Sequence, residues 1–415
     1  MELVSEGSVS LSFRLILVDG VSGEMKVTII GGSISGLYSA YLLAKEGVSV
    51  ELYDRVESLG FPPRTLIVTS KLKELLDFST EEAIVNRVRR FEIFSRSKKI
   101  TIDLFVPDLV IERERLIKLL ARRAEEAGAR LILGHQFEGF HREGGKILAK
   151  FRNLQTEATF FVHTDILVGA DGVWSSVARP FSHNGHYPAT LLQAKVAFSG
   201  EGGSDTCKVW FDSNFTRYFF WSIPESGGFA TVGLIADEDA QASLGLESFL
   251  KEKGLRPLEF QKAQVPLHPL SWVSERKVWQ GSVFLVGDAA SQVKVTTVGG
   301  VVAGLYGAKA LTRVLLNGGD YDREFRGLNL ELDLHLLIRS VLNRFNNRDY
   351  DSLLERLNGE LKLILQRWNR DELRSFFLRM ILTEPQLIGL GLKTFLRSIK
   401  ERILERKDYT FPDSR

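Results

Sequence analysis

The sequence is poor in the residues that build covalently linked or metal-held scaffolds. One cysteine, Cys207, occurs in 415 residues, so an internal disulfide and a multi-cysteine metal cluster are both excluded. This cysteine usage is typical of a reducing compartment, and we expect the cytoplasm. The seven histidines are scattered, and the close pair His183 and His186 has no acidic or thiol neighbours, so no metal site is expected.

Long apolar runs and an excess of charge of one sign are also missing. No apolar segment approaches the roughly 18 residues that suggest a membrane-spanning helix. The net charge is only +2 and the charged residues are dispersed, which argues against a nucleic-acid partner. The first segment begins with Glu2 instead of a basic region, which argues against a signal peptide. We expect residues 1–24 to form a peripheral or disordered extension. Because 44% of all residues are hydrophobic, the chain after residue 24 can bury a large core.

The strongest local signal lies in residues Val27 to Arg55, which read as strand, glycine-rich turn, helix and second strand. The turn, Gly31 to Gly36, follows the G-x-G-x-x-G pattern except that Ser33 replaces the middle glycine. Such a turn places a diphosphate on the helix N-terminus, and Asp54 stands where a carboxylate binds the adenosine ribose. The alternative is a purely structural βαβ unit. We predict a dinucleotide site that uses Gly31, Ser33, Gly36, Asp54 and Arg55.

Three later segments extend this site. Arg113 begins a predicted helix, where it would meet a phosphate or ribose, or else pair at the surface with Glu112 or Glu114. One further apolar strand ends in Gly169-Ala170-Asp171-Gly172, and another ends in Gly287-Asp288. The pair Gly299-Gly300 then precedes a predicted helix. A strand-end aspartate can accept from a ribityl hydroxyl, and a helix N-terminus stabilises negative charge on a reduced flavin. The predicted FAD site therefore also includes Arg113, Asp171, Gly287, Asp288, Gly299 and Gly300.

The middle of the chain has a different pattern of hydrophobic residues from the first part. From Tyr187 to Ile235, short alternating segments predict an antiparallel sheet with few helices. Within it, Phe219, Trp221 and Ile223 share one face, because side chains alternate along a strand. That face is either core or the wall of an apolar ligand site, and periodicity alone favours core.

The final part, from Tyr321 to Lys407, is helical in composition. Two stretches, Leu353 to Trp368 and Leu392 to Leu404, are amphipathic, and the second has a basic face with Phe395 and Leu396 on or near the other. Such a helix either packs on the protein or rests on an anionic membrane surface. The predicted fold is α/β: a doubly wound, three-layer FAD-binding domain (25–184 and 275–318), an inserted antiparallel β-sheet substrate domain (185–274) and a C-terminal helical region (319–415).

Together, the segments GGSISG…YDR, GADGVWSSVAR and VFLVGDAASQVKVTTVGG resemble the FAD-dependent geranylgeranyl reductase family, within the superfamily of flavin hydroxylases. Gly60-Phe61-Pro62-Pro63 is similar to a loop of the archaeal branch, and the stretch Phe219 to Pro224 to its Y-x-W-x-F-P motif. The resemblance implies a reduced flavin that transfers hydride to C=C bonds of an isoprenoid lipid beside Phe219, Trp221 and Pro224. It leaves the electron donor open between NAD(P)H and a protein such as ferredoxin. A flavin-dependent monooxygenase is the alternative activity.

Three departures from the archaeal pattern concern the flavin surroundings. Arg64 and Thr65 replace a His-Cys pair, and because that cysteine lies near the flavin in the family, no catalytic residue is assigned. Val295 replaces a proline, and Val298 replaces the first glycine of a G-G-G turn. A β-branched residue resists positive φ if the turn demands it. These changes leave a further alternative, a diverged flavin-binding paralogue with little catalysis.

Overall fold

The structure is a computed structural model that describes residues 25–181, 188–198, 203–267, 277–278, 282–367 and 369–408. The strands are β1 (Lys26–Ile30), β2 (Ser49–Tyr53), β3 (Thr65–Val68), β4 (Ile84–Phe94), β5 (Lys99–Glu112), β6 (Arg130–Ile132), β7 (His135–Glu143), β8 (Lys146–Asn153), β9 (Thr159–Thr164), β10 (Ile166–Gly169), β11 (Ala189–Ala197), β12 (Thr206–Trp210), β13 (Phe220–Pro224), β14 (Phe229–Ala236), β15 (Pro257–Val265), β16 (Lys277–Val278) and β17 (Val283–Leu285).

The α-helices are α1 (Ile34–Lys45), α2 (Lys71–Leu75), α3 (Arg113–Glu126), α4 (Asp239–Glu252), α5 (Val301–Asn317), α6 (Tyr321–Leu342), α7 (Asn347–Arg356), α8 (Glu360–Arg367), α9 (Leu373–Thr383) and α10 (Gln386–Asp408). The expected extension 1–24 and the pair His183 and His186 lie outside the described residues. In the described chain, no helix is long and apolar enough to cross a bilayer.

The first sheet is the middle of three layers. Its order is β16-β17-β10-β1-β2-β6, and all neighbours pair in parallel except β16 with β17. Val27 and Ile29 are fully buried on the side that packs with α1, α3 and α5. Ile30 and Tyr53 pack instead with the three-stranded sheet β7-β8-β9. The predicted three-layer α/β fold is confirmed, and one outer layer is a small antiparallel sheet.

The second sheet has eight strands in the order β15-β11-β14-β13-β12-β4-β5-β3. Neighbours are antiparallel except where β12 joins β4 in parallel. The sheet therefore combines strands after residue 188 with β3, β4 and β5, which lie before α3 in the chain. This mixed origin puts Thr65, at the start of β3, in the same sheet as Trp221 on β13.

The C-terminal helices cover one end of the second sheet. Leu354 of α7 packs with Ile100 and Ile102 of β5. A further cluster joins Phe345 and Tyr350 to Leu390 of α10. The stretch Leu353 to Trp368 is divided between α7 and α8 and does not form one continuous helix. These helices thus approach the sheet close to the strands that form the candidate site.

Candidate functional site

The glycine turn after β1 is shaped by close backbone approaches. Gly31 has φ +106°, and a Cβ there would lie 2.5 Å from the carbonyl oxygen of Ala170. A Cβ on Gly36 would lie 2.2 Å from the carbonyl oxygen of Gly31, so neither position tolerates a side chain. Ser33 is the N-cap of α1, and its Oγ accepts from the Gly36 N–H at 3.1 Å. The turn is therefore held in the form that leaves the helix N-terminus open.

Asp54 lies beside this turn, as its position after β2 predicts. Its Oδ2 accepts from the Gly32 N–H at 2.6 Å and its Oδ1 from the Val56 N–H at 3.0 Å. Arg55 is exposed, and neither Asp54 nor Arg55 lines the cavity described next. The carboxylate is thus fixed next to the glycine turn, and the neighbouring guanidinium is not.

A cavity of about 720 Å³ begins at this turn and continues onto the second sheet. Its first part is lined by Arg113 at the start of α3 and by residues from the loops that leave the parallel sheet, including Ser33, Arg64, Ala170, Asp288 and Gly300. Its second part is lined by apolar residues of the second sheet, including Phe91, Ile102, Val209, Phe219, Trp221 and Ile223. One continuous space therefore connects the predicted cofactor site with the predicted ligand wall.

Three charged groups face each other in the first part of the cavity. Burial raises the pKa of Asp288, although the charges of Arg64 and Arg113 oppose that shift. Burial and the charge of Arg113 lower the pKa of Arg64 to about 10, and burial also lowers the pKa of Arg113. Arg64 Nε is buried and finds no hydrogen-bond partner among the described residues. The Glu112 and Asp54 carboxylates also act on Arg113, so the buried Arg64 Nε, unpartnered in the described chain, is the donor that suits an anionic diphosphate.

Arg113 contacts the loop before β3 and is not a paired surface residue. Its Nη1 donates to the carbonyl oxygen of Gly60 at 3.1 Å. Glu112 instead accepts from backbone N–H groups at the start of α3, and Glu114 pairs with Lys118 at 2.5 Å. The alternative of a surface ion pair with Glu112 or Glu114 is wrong, and the residue lies on the cavity wall.

Two predicted residues are used by the fold itself. The Asp171 carboxylate accepts from the Ser175 hydroxyl at 2.5 Å and from the Ser176 N–H at 2.7 Å, so it caps the turn after β10. Gly287 has φ +67°, and a Cβ there would lie 2.6 Å from Ser35 Oγ. Neither Asp171 nor Gly287 lines the cavity, whereas their neighbours Gly172 and Asp288 do. Both residues therefore shape the loops that present the cavity wall.

The turn before α5 contains a residue in a strained backbone conformation. Val298 adopts φ +53°, a left-handed conformation that favours glycine, so the turn does demand the positive φ that a β-branched residue resists. Gly299 and Gly300 line the cavity, and a Cβ on Gly300 would lie 3.0 Å from Asp288 Oδ1. The N-terminus of α5 thus faces the cavity next to Asp288.

Arg339 of α6 binds the backbone of the turn before α5, and no local sequence pattern predicts this contact. Its Nε donates to the carbonyl oxygen of Val295 at 3.0 Å and its Nη2 to that of Thr296 at 2.7 Å. A third bond, 3.2 Å long, reaches the carbonyl oxygen of Arg217. Arg339 therefore ties the turn before α5 to the loop before β13.

The aromatic face of β13 forms a cavity wall. Trp221 and Ile223 are 6% and 5% exposed, and both line the cavity together with the half-buried Phe219. Trp221 Nε1 is buried without a hydrogen-bond partner among the described residues. Pro224 does not line the cavity, and its carbonyl oxygen accepts from Asn86 Nδ2 at 3.0 Å. Of the predicted substrate residues, Phe219 and Trp221 thus line the cavity, and Pro224 does not.

Gly233 of β14 explains how Trp221 lies flat on the neighbouring strand. The two residues are directly paired, and a Cβ on Gly233 would lie 2.6 Å from Trp221 Cζ2. The same hypothetical Cβ would lie 2.5 Å from Gln193 Cβ. Glycine at this position therefore makes room for the indole.

Thr65 lies on the cavity wall at the start of β3. Its hydroxyl donates to Glu225 Oε1 at 2.6 Å, and its carbonyl oxygen accepts from Gln193 Nε2 at 3.2 Å. Glu225 also accepts from the Thr231 hydroxyl and lies 3.4 Å from Lys195 Nζ. The hydroxyl is therefore fixed in a polar network behind the wall.

Cys207 lies in another region of the sequence, but β12 brings it to the same cavity. Burial raises the pKa of its thiol to about 12. The thiol is therefore protonated at neutral pH and is not a nucleophile. In the described part of the chain, no three His, Cys, Asp or Glu side chains are grouped as metal ligands would be.

The loop between α8 and α9 closes one side of the cavity through three ion pairs. Asp371 pairs with Lys294 and also accepts from the Thr69 hydroxyl. Two further pairs join Arg370 to Asp108 of β5 and Glu372 to Lys71 of α2. We name this segment, residues 369–372, the closing loop.

Comparison with known proteins agrees with this geometry. The chain matches the family described as FAD binding domain over residues 24–232. It is 30% identical over 368 residues to digeranylgeranylglycerophospholipid reductase 2 of Methanothermobacter thermautotrophicus, which covers 80% of this chain and 92% of that protein. It is 25% identical over 399 residues to digeranylgeranylglycerophospholipid reductase of Methanocaldococcus jannaschii, with 87% and 96% covered.

Among solved structures, the chain is similar to a geranylgeranyl bacteriochlorophyll reductase-like protein of Thermoplasma acidophilum. The TM-score is 0.74 at 19% identity, with 90% of this chain and all 100% of that one covered. This likeness shows a shared fold over 90% of this chain. The motifs, the cavity and these relatives together show that the chain is an FAD-dependent oxidoreductase and belongs to the geranylgeranyl reductase family.

Proposed function

We propose that this protein reduces C=C bonds of an isoprenoid lipid held in the cavity. The observation that carries the proposal is the continuity of the cavity from Ser33 and Asp288 to the apolar wall at Phe219 and Trp221. When bound, reduced FAD supplies the hydride for such a reaction. An apolar wall with few polar groups suits a prenyl chain better than a polar aromatic substrate.

The cofactor-side residues are proposed to divide their roles along FAD. Gly31, Ser33 and Gly36 present the N-terminus of α1 to the diphosphate, with Asp54 at the adenosine ribose. Arg113, assisted by Arg64, supplies the positive charge that the diphosphate needs. Asp288 accepts from the ribityl chain, and Gly299 and Gly300 present the N-terminus of α5 to the flavin ring. Asp171 and Gly287 contribute by shaping the loops, and we give no role to Arg55.

On the substrate side, Phe219 and Trp221 would hold the prenyl chain and exclude water. The buried indole N–H of Trp221 is the polar group on this face that remains available to a ligand. The related proteins are named as reductases of lipids that carry geranylgeranyl chains, which supports this substrate class. We propose that the protein works in the cytoplasm at the membrane surface and is reduced by NAD(P)H or by a donor protein such as ferredoxin.

The test is reduction of a defined lipid. The protein is loaded with FAD, reduced with dithionite under argon and incubated with a geranylgeranyl glycerolipid in detergent, and the lipid is analysed by mass spectrometry. We expect a gain of one hydrogen pair for each C=C bond reduced. FAD binding without any gain would refute the proposal and favour the diverged flavin-binding paralogue. Oxygen-dependent NADPH oxidation stimulated by a small phenol would instead indicate a monooxygenase.

A further inference from the structure

Helix α10 carries four apolar residues that are about half exposed in the described part of the chain, and the Arg344 guanidinium lies 5.7 Å from the ring centroid of one of them, Phe395. Ile388, Leu392, Phe395 and Leu396 are 55%, 57%, 48% and 58% exposed. Their spacing places all four on one side of the helix. We name these four residues the α10 stripe.

The opposite side of α10 attaches the helix to the protein. Leu390 and Thr394 are buried there. Arg397 pairs with Asp349 at 2.6 Å, and its Nη2 donates to the carbonyl oxygen of Arg344 at 2.6 Å. The helix therefore already has a packing side, and the α10 stripe is a second, outward-facing apolar surface.

Helix α9 connects this surface with the cavity. Leu378 and Leu382, one turn apart, are 65% and 70% exposed. Phe376, nearly opposite Leu378 around the same helix, is buried and lines the cavity. Val106 also lines the cavity while remaining exposed at its rim, and the preceding residue, Phe105, is exposed as well. The Arg367 guanidinium lies 5.7 Å from the ring centroid of Phe105. Exposed apolar residues thus lie on the elements that form the cavity wall.

The charge of residues 373–397 indicates which kind of partner can cover the α10 stripe. Residues 373–397 contain the basic residues Arg374, Arg379 and Lys393, a fourth, Arg397, that is paired with Asp349 on the packing side, and one acidic residue, Glu384. Glu384 is moreover paired with Arg356 at 3.4 Å. An excess of positive charge around an apolar stripe is complementary to anionic lipid headgroups, whereas a second copy of the chain would bring like charges together.

We propose that α9 and α10 dock on an anionic bilayer, with the α10 stripe, Leu378 and Leu382 inserted at the headgroup level. The docked protein holds its cavity next to the lipid phase, so an apolar chain reaches the cavity with little exposure to water. This inference rests on the proposed function for the identity of the lipid substrate. The docking itself is independent of catalysis.

The test uses the full chain loaded with FAD and two kinds of vesicle, one of phosphatidylcholine alone and one containing phosphatidylglycerol. Flotation is compared for the wild type, for Leu392→Glu/Leu396→Glu, and for the matched control Leu244→Glu/Leu258→Glu. The control leucines are 66% and 60% exposed but lie on α4 and β15. The flavin absorption and the thermal transition of each variant verify that it folds.

We expect the wild type and the control to float with the anionic vesicles, and to bind less in high salt or with phosphatidylcholine alone. The Leu392→Glu/Leu396→Glu variant should bind at least tenfold more weakly. No binding by the wild type, or an equal loss in the control, would overturn the inference. So would a lipid-free dimer of the wild type that Leu392→Glu/Leu396→Glu converts to a monomer, because the stripe would then be a self-association surface.

Lipid reduction in detergent separates this inference from the proposed function. If the wild type reduces the detergent-dispersed lipid but does not bind vesicles, the docking inference alone fails. If it binds vesicles but reduces no lipid in detergent, the proposed function fails, and with it the claim that docking delivers substrate.

Discussion

Removing the carboxylate of Asp371 should destabilise the closing loop far more than loss of an exposed ion pair. Asp371 and its partner Lys294 have side chains that are only 3% and 7% exposed. In the variant Asp371→Ala, the ammonium of Lys294 stays buried without its counter-charge, and the Thr69 hydroxyl loses its acceptor. Such a change typically costs about 3–5 kcal/mol.

The structure offers a matched control for this prediction. Arg90 and Asp103 form a pair 2.6 Å long whose side chains are 50% and 51% exposed. Exposed pairs contribute about 0.2–1 kcal/mol, so Asp103→Ala should have a small effect. Lys294→Met/Asp371→Leu should recover most of the stability lost in Asp371→Ala, because an apolar replacement removes both buried charges.

The assay is urea unfolding of the FAD-loaded protein, combined with hydrogen exchange in the closing loop and α9. Asp371→Ala should lower the unfolding free energy and increase exchange in this segment, whereas Asp103→Ala should do neither to a comparable degree. Equal effects of the two variants would refute the reasoning, because burial would then not decide the strength of the pair.

The same pair makes a prediction about pH. Burial alone would raise the pKa of Asp371, but the charge of Lys294 and the hydrogen bonds from Lys294 and Thr69 outweigh it and hold the pKa below its usual value. The stabilisation that the ionised Asp371 carboxylate provides is fully present above its pKa in the unfolded chain, about 3.9. It is lost as the pH falls through the lower pKa that Asp371 has in the folded protein. The difference between the wild type and Asp371→Asn should therefore shrink below about pH 4.

Three further predictions concern the cavity. Arg113→Met should raise the Kd for FAD about 10- to 150-fold in a fluorescence titration, because loss of a charge-assisted hydrogen bond costs about 1.5–3 kcal/mol. The control Arg115→Met, at an exposed arginine, should leave the Kd unchanged. Val298→Gly should have a higher Tm than Val298→Ala, because both remove the packing of the valine side chain, whereas only glycine relieves left-handed strain of about 1–2 kcal/mol, which exceeds its added chain entropy of about 0.5–1 kcal/mol; an equal or lower Tm for Val298→Gly would contradict this. Cys207 should resist iodoacetamide at pH 8 in the folded protein, because a pKa of about 12 leaves roughly one thiolate in ten thousand, and should react once urea unfolds the chain.

The sequence predicts those parts of the site that depend on local backbone geometry. The turn at Gly31 to Gly36 demands residues without side chains, so its pattern is visible in the amino acids themselves. The strained position of Val298 could be predicted for the same reason, because positive φ restricts the residue type. The alternation that put Phe219 and Trp221 on one face likewise reflects local strand geometry.

Contacts between distant segments were not predictable in this way. Arg339 binds the turn before α5 from the middle of α6, and a single arginine on a helix carries no sign of such a partner. Asp371 and Lys294 are also far apart in the chain. Asp171 shows the opposite difficulty: its motif predicts a cofactor contact, and three groups in the next turn already donate to its carboxylate.

The position of the closing loop in the chain has a consequence for biosynthesis. The cofactor-side wall of the cavity is complete by Val302, whereas the closing loop and Phe376 are made last. Because chains emerge from the ribosome N-terminus first, the two sheets can form while this side of the cavity is still open. The ion pairs of the closing loop can therefore form only after the residues that line the cofactor side of the cavity have been synthesised.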